Sequence, residues 1–252
     1  MFFKKKPKLD NESLKNGVGL ITYNDPTSTI AEQFRTVRTN IQFSSVDKQL
    51  KSIVFTSSAP SEGKSTVSNN VAVTWADQGK SVLIVDADMR RPTVHRTFRT
   101  SNAIGLSNLL AGTGSLDDAI HSTVVENLSV MPSGPIPPNP SELLGSSKMV
   151  NLLGVLTTKF DLVIIDAPPV NTVTDAQVLA ARADGTVLVV PQGIADKAGV
   201  RHAKQMLETV QANILGAILN RASAEKSTGY YGGYYGGYYG GYYGGYYGTD
   251  DK

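Results

Sequence analysis

The stretch Ser57-Ser58-Ala59-Pro60-Ser61-Glu62-Gly63-Lys64-Ser65-Thr66 constrains the fold more than any other part of the chain. It follows the apolar run Ser52-Ile53-Val54-Phe55-Thr56 and precedes Val67, Val71, Ala72 and Trp75, which recur at helical spacing. A buried strand, a tight loop and a helix start make a phosphate site, because the first helical N–H groups are unpaired and sit at the positive dipole end. The spacing fits the P-loop pattern G-x-x-x-x-G-K-[ST], with Ser58 where the first Gly is usual. In that pattern the backbone of Ser61, Glu62, Gly63 and Thr66 surrounds the phosphates, Lys64 reaches the β/γ-phosphates and Ser65 holds Mg²⁺. A helix start with a capping serine would account for Gly-Lys-Ser alone. The strand before it and the helix after it favour the phosphate site.

The 252 residues, 40% of them hydrophobic, are enough for one α/β core of about 200 residues with tails. A net charge of +2 argues against a nucleic-acid partner, although Lys4, Lys5, Lys6 and Lys8 cluster near the start. There is no cysteine, and three scattered histidines make no ligand set, so neither disulfides nor thiolate metal sites are available. No run approaches the roughly 20 apolar residues of a membrane span, and Met1-Phe2-Phe3 lacks the apolar core of a signal peptide. A reducing cytoplasm fits, with any membrane location supplied by a partner.

Residues 1–26 are polar and read as an extended arm. From residue 27 to 47 an amphipathic helix is predicted, with Thr29 as cap and Ile30, Phe34, Val37 and Ile41 on one face. Glu32, Arg35 and Arg38 lie along another side; on spacing alone they read as a solvated face with internal ion pairs. Ser81–Asp88 is a second buried strand that ends in two carboxylates, Asp86 and Asp88, at the edge where ligands of open α/β sheets bind. Two unpaired aspartates there would repel, which points to bound Mg²⁺ or acid-base work.

Further along, short helices are predicted near Gly105–Leu110 and Ser115–His121, and a strand at Leu128–Met131. After a proline-rich turn, one helix is predicted from Ser141 through Leu156. Asp161–Pro169 is a third buried strand that delivers Asp166 in the Walker B manner, toward Mg²⁺. Strands at Thr186–Val190 and Ile214–Leu219 flank a helix through His202, Met206 and Val210. Asn220-Arg221 leaves the last strand at the P-loop edge, where it either contacts a nucleotide base or is simply a polar strand end. Strand, helix, strand throughout predicts a doubly wound, mostly parallel sheet of the P-loop NTPase type.

The end of the chain is a Tyr/Gly repeat. Ten of the eleven tyrosines fall here, as Tyr230, Tyr231, Tyr234, Tyr235, Tyr238, Tyr239, Tyr242, Tyr243, Tyr246 and Tyr247. With no aliphatic residues to bury and glycines that are costly to order, the tail is expected to be disordered. Tyrosine hydroxyls attached to a phosphoryl-transfer site are potential acceptors.

With the P-loop around Lys64, the aspartate motif Val85-Asp86-Ala87-Asp88-Met89-Arg90, the Walker B segment Ile164-Ile165-Asp166 and the terminal tyrosines, the chain resembles the bacterial tyrosine kinases of capsule and exopolysaccharide synthesis. Glu32-x-x-Arg35-x-x-Arg38 matches that family's oligomerisation motif, which reverses the solvated-face reading. The resemblance implies ATP as donor, ring-shaped self-association and phosphorylation of tail tyrosines between subunits. It implies activation at the inner face of the plasma membrane by the cytoplasmic segment of a membrane protein controlling polysaccharide chain length, and resetting by a protein-tyrosine phosphatase. It casts Lys64 and Asp86 as catalytic, with Asp86 orienting or deprotonating the acceptor, and Ser65, Asp88 and Asp166 as metal partners. Lys64 is expected to meet only solvent and ligand.

The division that follows is an arm at 1–26, a kinase domain at 27–225 and an autophosphorylation tail at 226–252. The alternative is a partitioning or site-placing ATPase switch. Those proteins carry a lysine five residues before the P-loop lysine, where this chain has Ala59.

Overall fold

A computed structural model of the chain describes residues 12–45 and 49–222. Residues 1–11 and every tail tyrosine lie outside the described residues. The described residues up to Asn220 form one compact unit, the first of two into which the chain divides. In chain order the first unit carries helices α1 (Glu12–Asn16), α2 (Ile21–Asn24) and α3 (Thr29–Phe43), then strand β1 (Ser52–Ser57) and α4 (Lys64–Ala76). Next come β2 (Val82–Asp86), α5 (Val94–Thr97), α6 (Leu106–Ala111), α7 (Leu116–Ala119), β3 (His121–Ser122) and β4 (Leu128–Met131). The remainder is α8 (Pro140–Gly145), α9 (Ser147–Lys159), β5 (Leu162–Asp166), α10 (Asp175–Ala180), β6 (Gly185–Pro191), α11 (Lys197–Thr209) and β7 (Ile214–Asn220).

The strands form one seven-stranded sheet in the order β3-β4-β2-β5-β1-β6-β7. Every pairing is parallel except β3 with β4. β1, β2 and β5 are buried along their whole length, as their continuous apolar runs require when helices cover both faces. Their side chains alternate between two cores. Val54, Leu83, Val85, Val163 and Ile165 face one, with Leu144, Leu156 and Leu179. Ile53, Phe55, Ile84 and Ile164 face the other, with Val67, Val71 and Trp75 of α4. The parallel register sets Asp86 opposite Asp166 and Phe55 opposite Asp166, so three neighbouring strands end together at one edge.

Three local expectations are corrected. Residues 12–26 are not an extended arm: α1 and α2 form, and Leu20 and Thr22 are buried. The cause is Asn70 on α4, which accepts from Thr22 N (3.1 Å) and Thr22 Oγ1 (2.9 Å) and donates to the carbonyls of Gly19 (2.8 Å) and Thr66 (2.9 Å). The helix after the arm is capped by Ser28, whose hydroxyl accepts from Ala31 N, rather than by Thr29. The helix predicted through Leu156 is broken at Ser146, which adopts an extended ψ of 160° and caps α9.

Asn70→Ala removes all four of those bonds and leaves buried groups unpaired. It is expected to cost about 2–4 kcal/mol in a denaturant titration and to speed proteolytic cutting between residues 17 and 26. Unchanged stability and cutting would show that α2 docks without this anchor.

Candidate active site

The loop between β1 and α4 is built as the sequence requires at Gly63 and against expectation at Ser61. Gly63 is the residue before α4 and has φ 92°; a Cβ there would lie 2.2 Å from Asn220 Nδ2, so glycine is needed on both counts. Ser61 has φ 64°, a left-handed conformation that favours glycine, so holding a serine there stores strain of about 1 kcal/mol. Asn220, read from the sequence as either a base contact or a polar strand end, donates to the carbonyl of Glu62 at 3.0 Å, which ties the loop to the end of β7. Thr66 lies in the first turn of α4 and its carbonyl accepts from Asn70. Arg221 follows β7 with φ 55° and opens the second unit.

Lys64 does not face solvent, which corrects the sequence expectation. Its side chain is 11% exposed, and its ammonium lies 2.8 Å from Asp88 Oδ2 and 3.5 Å from Asp166 Oδ1. It also donates to Ser65 Oγ at 3.2 Å. Burial alone would lower the lysine pKa; the Asp166 and Asp88 carboxylates outweigh it, and the net direction is upward. The ammonium is therefore a firmly held cation.

The carboxylates divide in role. Asp88 Oδ1 also accepts from Arg91 N at 3.1 Å. Asp86 is completely buried; its Oδ2 accepts from the amides of Thr93 and Val94, both at 3.0 Å, while its Oδ1 is buried without a partner. Burial first, then the neighbouring Asp166 carboxylate, push Asp86 up to about 8, against the Val94 hydrogen bond. Its carboxyl is therefore a stronger base than an ordinary aspartate. Asp166 is raised as well, by burial above all, with Lys64 and the Ser65 hydroxyl opposing. Its Oδ2 is also buried and unpartnered.

These observations bear on Mg²⁺. The three groups predicted to hold the metal, Ser65, Asp88 and Asp166, are the groups around the Lys64 ammonium, so they already accommodate one cation. Asp166 has an oxygen to spare. The donor set is all oxygen, which suits Mg²⁺. Among the described residues no cluster of three or more acidic, histidine or cysteine side chains could hold a metal alone, so phosphate or water must complete the shell.

A network that sequence reasoning missed borders the site. Asp175, fully buried at the start of α10, accepts from Arg90 Nε at 3.0 Å and Nη2 at 3.3 Å and from the Ser141 hydroxyl. Asp175 stands in no recognisable motif; the approach of α8 to α10 brings Ser141 to it, and the segment after β2 brings Arg90. The three residues predicted to mediate oligomerisation are unequal. Glu32 pairs with Arg35 and stays exposed, whereas Arg38 donates to the Thr74 carbonyl at 2.7 Å and is partly buried against α4.

A buried strand feeding a glycine-capped helix, with a lysine held among strand-end aspartates, defines a P-loop nucleotide-binding protein. The AAA domain family matches residues 50–219. The tyrosine-protein kinase YwqD of Bacillus subtilis is 46% identical over 215 residues, spanning 84% of this chain and 91% of that one. The crystal structure of the chimerical protein CapA2B2 superposes with a TM-score of 0.78 at 47% identity, covering 81% of this chain and 89% of that chain. The septum site-determining protein MinD of Pyrococcus horikoshii, complexed with Mg-ADP, gives 0.59 at 26% identity over 69% and 72%. The chain belongs to the tyrosine-protein kinase branch of this AAA domain family.

Lys64→Met would leave Asp88 and Asp166 buried without their cation. It is expected to lower the stability of the ligand-free protein by on the order of 3 kcal/mol, with Mg²⁺ restoring part of the loss in a thermal melt. A variant melting with the wild type would show that the ion pairs contribute nothing.

Proposed function

We propose that this protein-tyrosine kinase uses ATP and Mg²⁺ to phosphorylate tyrosines of its own C-terminal cluster, Tyr230 to Tyr247, between subunits. The observation that carries the reading is the Lys64 ammonium held by Ser65, Asp88 and Asp166 at the sheet edge where β1, β2 and β5 end. Incubating the protein with ATP and Mg²⁺ and mapping modified tyrosines by mass spectrometry tests it. Mixing a Lys64→Met chain that keeps its tail with an active chain lacking residues 226–252 separates transfer between subunits from transfer within one.

In this mechanism the residues mostly position. The α4 amides and the 61–66 backbone receive the phosphates, and Lys64 turns from the aspartates to the β/γ-phosphates. Bound ATP supplies the phosphoryl group, and Mg²⁺ offsets the charge on its oxygens. Ser65, Asp88 and Asp166 are then free to hold that cation. Asp86, anchored through one oxygen by two amides, offers the other to the incoming hydroxyl. A carboxyl near 8 is better matched to a tyrosine of pKa about 10 than an ordinary carboxylate is.

Assembly is proposed through Glu32 and Arg35, with Arg38 fixing α3 on α4. Activation by the cytoplasmic segment of a membrane protein, resetting by a phosphatase, and control of capsular or exopolysaccharide synthesis at the inner membrane face complete the reading. No helix among the described residues is long and apolar enough to cross a membrane. The ATPase-switch alternative has less support: the likeness to MinD is weaker than to CapA2B2, and Ala59 stands where such switches carry lysine.

Asp86→Asn keeps an oxygen for the Thr93 and Val94 amides, so it is expected to reduce tyrosine transfer at least 100-fold while changing ATP affinity only a few-fold. Equal loss of both would assign Asp86 to the metal. Glu32→Ala with Arg35→Ala is expected to shift the light-scattering mass toward a monomer; an unchanged mass would return α3 to a plain solvated face.

A further inference from the structure

The side chain of Glu62 is turned into the phosphate loop rather than toward a ligand. It is 4% exposed, and its Oε2 accepts from Ser58 N at 2.8 Å and Ala59 N at 2.9 Å. The Ser58 hydroxyl donates to the same carboxylate, 2.9 Å from either oxygen. The Glu62 carbonyl, in turn, is held by Asn220 Nδ2. One residue thus ties the head of the loop, the foot of the loop and the end of β7 together.

We infer that Glu62 is a positioning residue that shapes the phosphate-binding loop before nucleotide arrives, and that Ser58 replaces the usual first glycine because its hydroxyl is one of the donors Glu62 needs. The physical reason lies in the loop's own polarity. A phosphate-binding loop gathers N–H groups, and buried N–H groups left without acceptors are costly. At the head of this loop the acceptor is internal. The two amides at Ser58 and Ala59 are satisfied by a carboxylate in charge-assisted hydrogen bonds, which hold the loop more strongly than neutral ones would. The amides that open α4, from Lys64 to Thr66, face the phosphate position. A carboxylate near phosphate would repel it, but this one is enclosed and shared among three donors. The same bracing opposes the strain at Ser61, whose φ of 64° the loop must hold without glycine.

The inference rests on the nucleotide-binding reading of the site and not on the identity of the acceptor. Its test therefore measures binding of a fluorescent ADP analogue with Mg²⁺, alongside tyrosine transfer. Glu62→Gln keeps the size and one oxygen for the two amides, but it removes the charge that strengthens those bonds and obliges the Ser58 hydroxyl to accept instead of donate. Expected is a 10- to 100-fold weaker dissociation constant for the analogue and a matching rise in KM for ATP, with kcat at saturating ATP changed much less. Ser58→Ala, which removes one donor without disturbing the carboxylate, is expected to weaken binding about 3- to 10-fold. The double variant is expected to bind like Glu62→Gln alone, because the two side chains act as one unit. Glu62→Gln binding the analogue as tightly as wild type, or more tightly, would overturn the inference, as would a loss confined to kcat. If Glu62→Gln does not fold, Ser58→Ala decides: unchanged affinity overturns the inference, and a KM rise with kcat maintained sustains it. Loss of tyrosine transfer in the wild type with analogue binding intact would count against the kinase reading and leave the role of Glu62 standing.

Discussion

The Lys64 ammonium, enclosed between Asp88 and Asp166, is the contact on which the site depends. Parallel pairing of β2 with β5 puts Asp86 and Asp166 side by side, and Asp88 follows two residues on. Three acidic groups at one buried edge could not all ionise without a cation among them; desolvation and mutual repulsion would each favour the neutral form. The molecule resolves this by two means at once. Burial raises Asp86 toward its neutral form, and Lys64 stays charged beside the other two. The lysine can take that position because α4 starts one residue before Ser65, directly behind a glycine whose left-handed backbone turns the chain.

Everything behind the edge serves to hold α4 still. Eleven of its thirteen residues are buried, on all sides rather than along one stripe, so it behaves as a core helix and not a surface one. Ile53, Phe55 and Ile164 lie beneath it, and α2 and α3 cover it from outside. That enclosure explains why Asn70 is polar yet fully buried: its side chain bonds Gly19 and Thr22 of the segment folded over it and the Thr66 carbonyl of its own helix. A helix able to shift by an ångström would misplace both the ammonium and the amides that await phosphate.

The sheet was legible because parallel strands covered on both faces read as unbroken apolar runs, and Ile53–Phe55, Val82–Val85 and Leu162–Ile165 do so. The phosphate loop and its aspartates were legible because their spacing is set by the loop geometry itself. What stayed hidden depends on partners distant in the sequence. Residues 12–26 look like an arm until Asn70 is placed beside Thr22, 48 residues away. Asp175 looks like one more surface acid until Arg90, 85 residues earlier, lies against it. The break at Ser146 was missed for a different reason: apolar periodicity continues across it, and the clue was a serine able to cap a second helix. Strand order likewise cannot be read from strands that are all equally apolar.

A loop made for a polyanion stands among four carboxyl groups, and the structure gives each a different form of compensation. Glu62 is enclosed by three loop donors, Asp86 is held by the Thr93 and Val94 amides, Asp88 is paired with Lys64, and Asp166 shares Lys64 and the Ser65 hydroxyl. The compensation is of two kinds. Glu62 draws on hydrogen bonds internal to the loop, which no ligand needs to break. Asp88 and Asp166 rely on a lysine on a flexible stem, the type of group that can exchange one anion for another. In the proposed mechanism, phosphate entering the loop would compete for that ammonium, and its departure would leave the two aspartates needing a cation. Nucleotide and Mg²⁺ would then be coupled through one side chain, with the braced head of the loop keeping that exchange local.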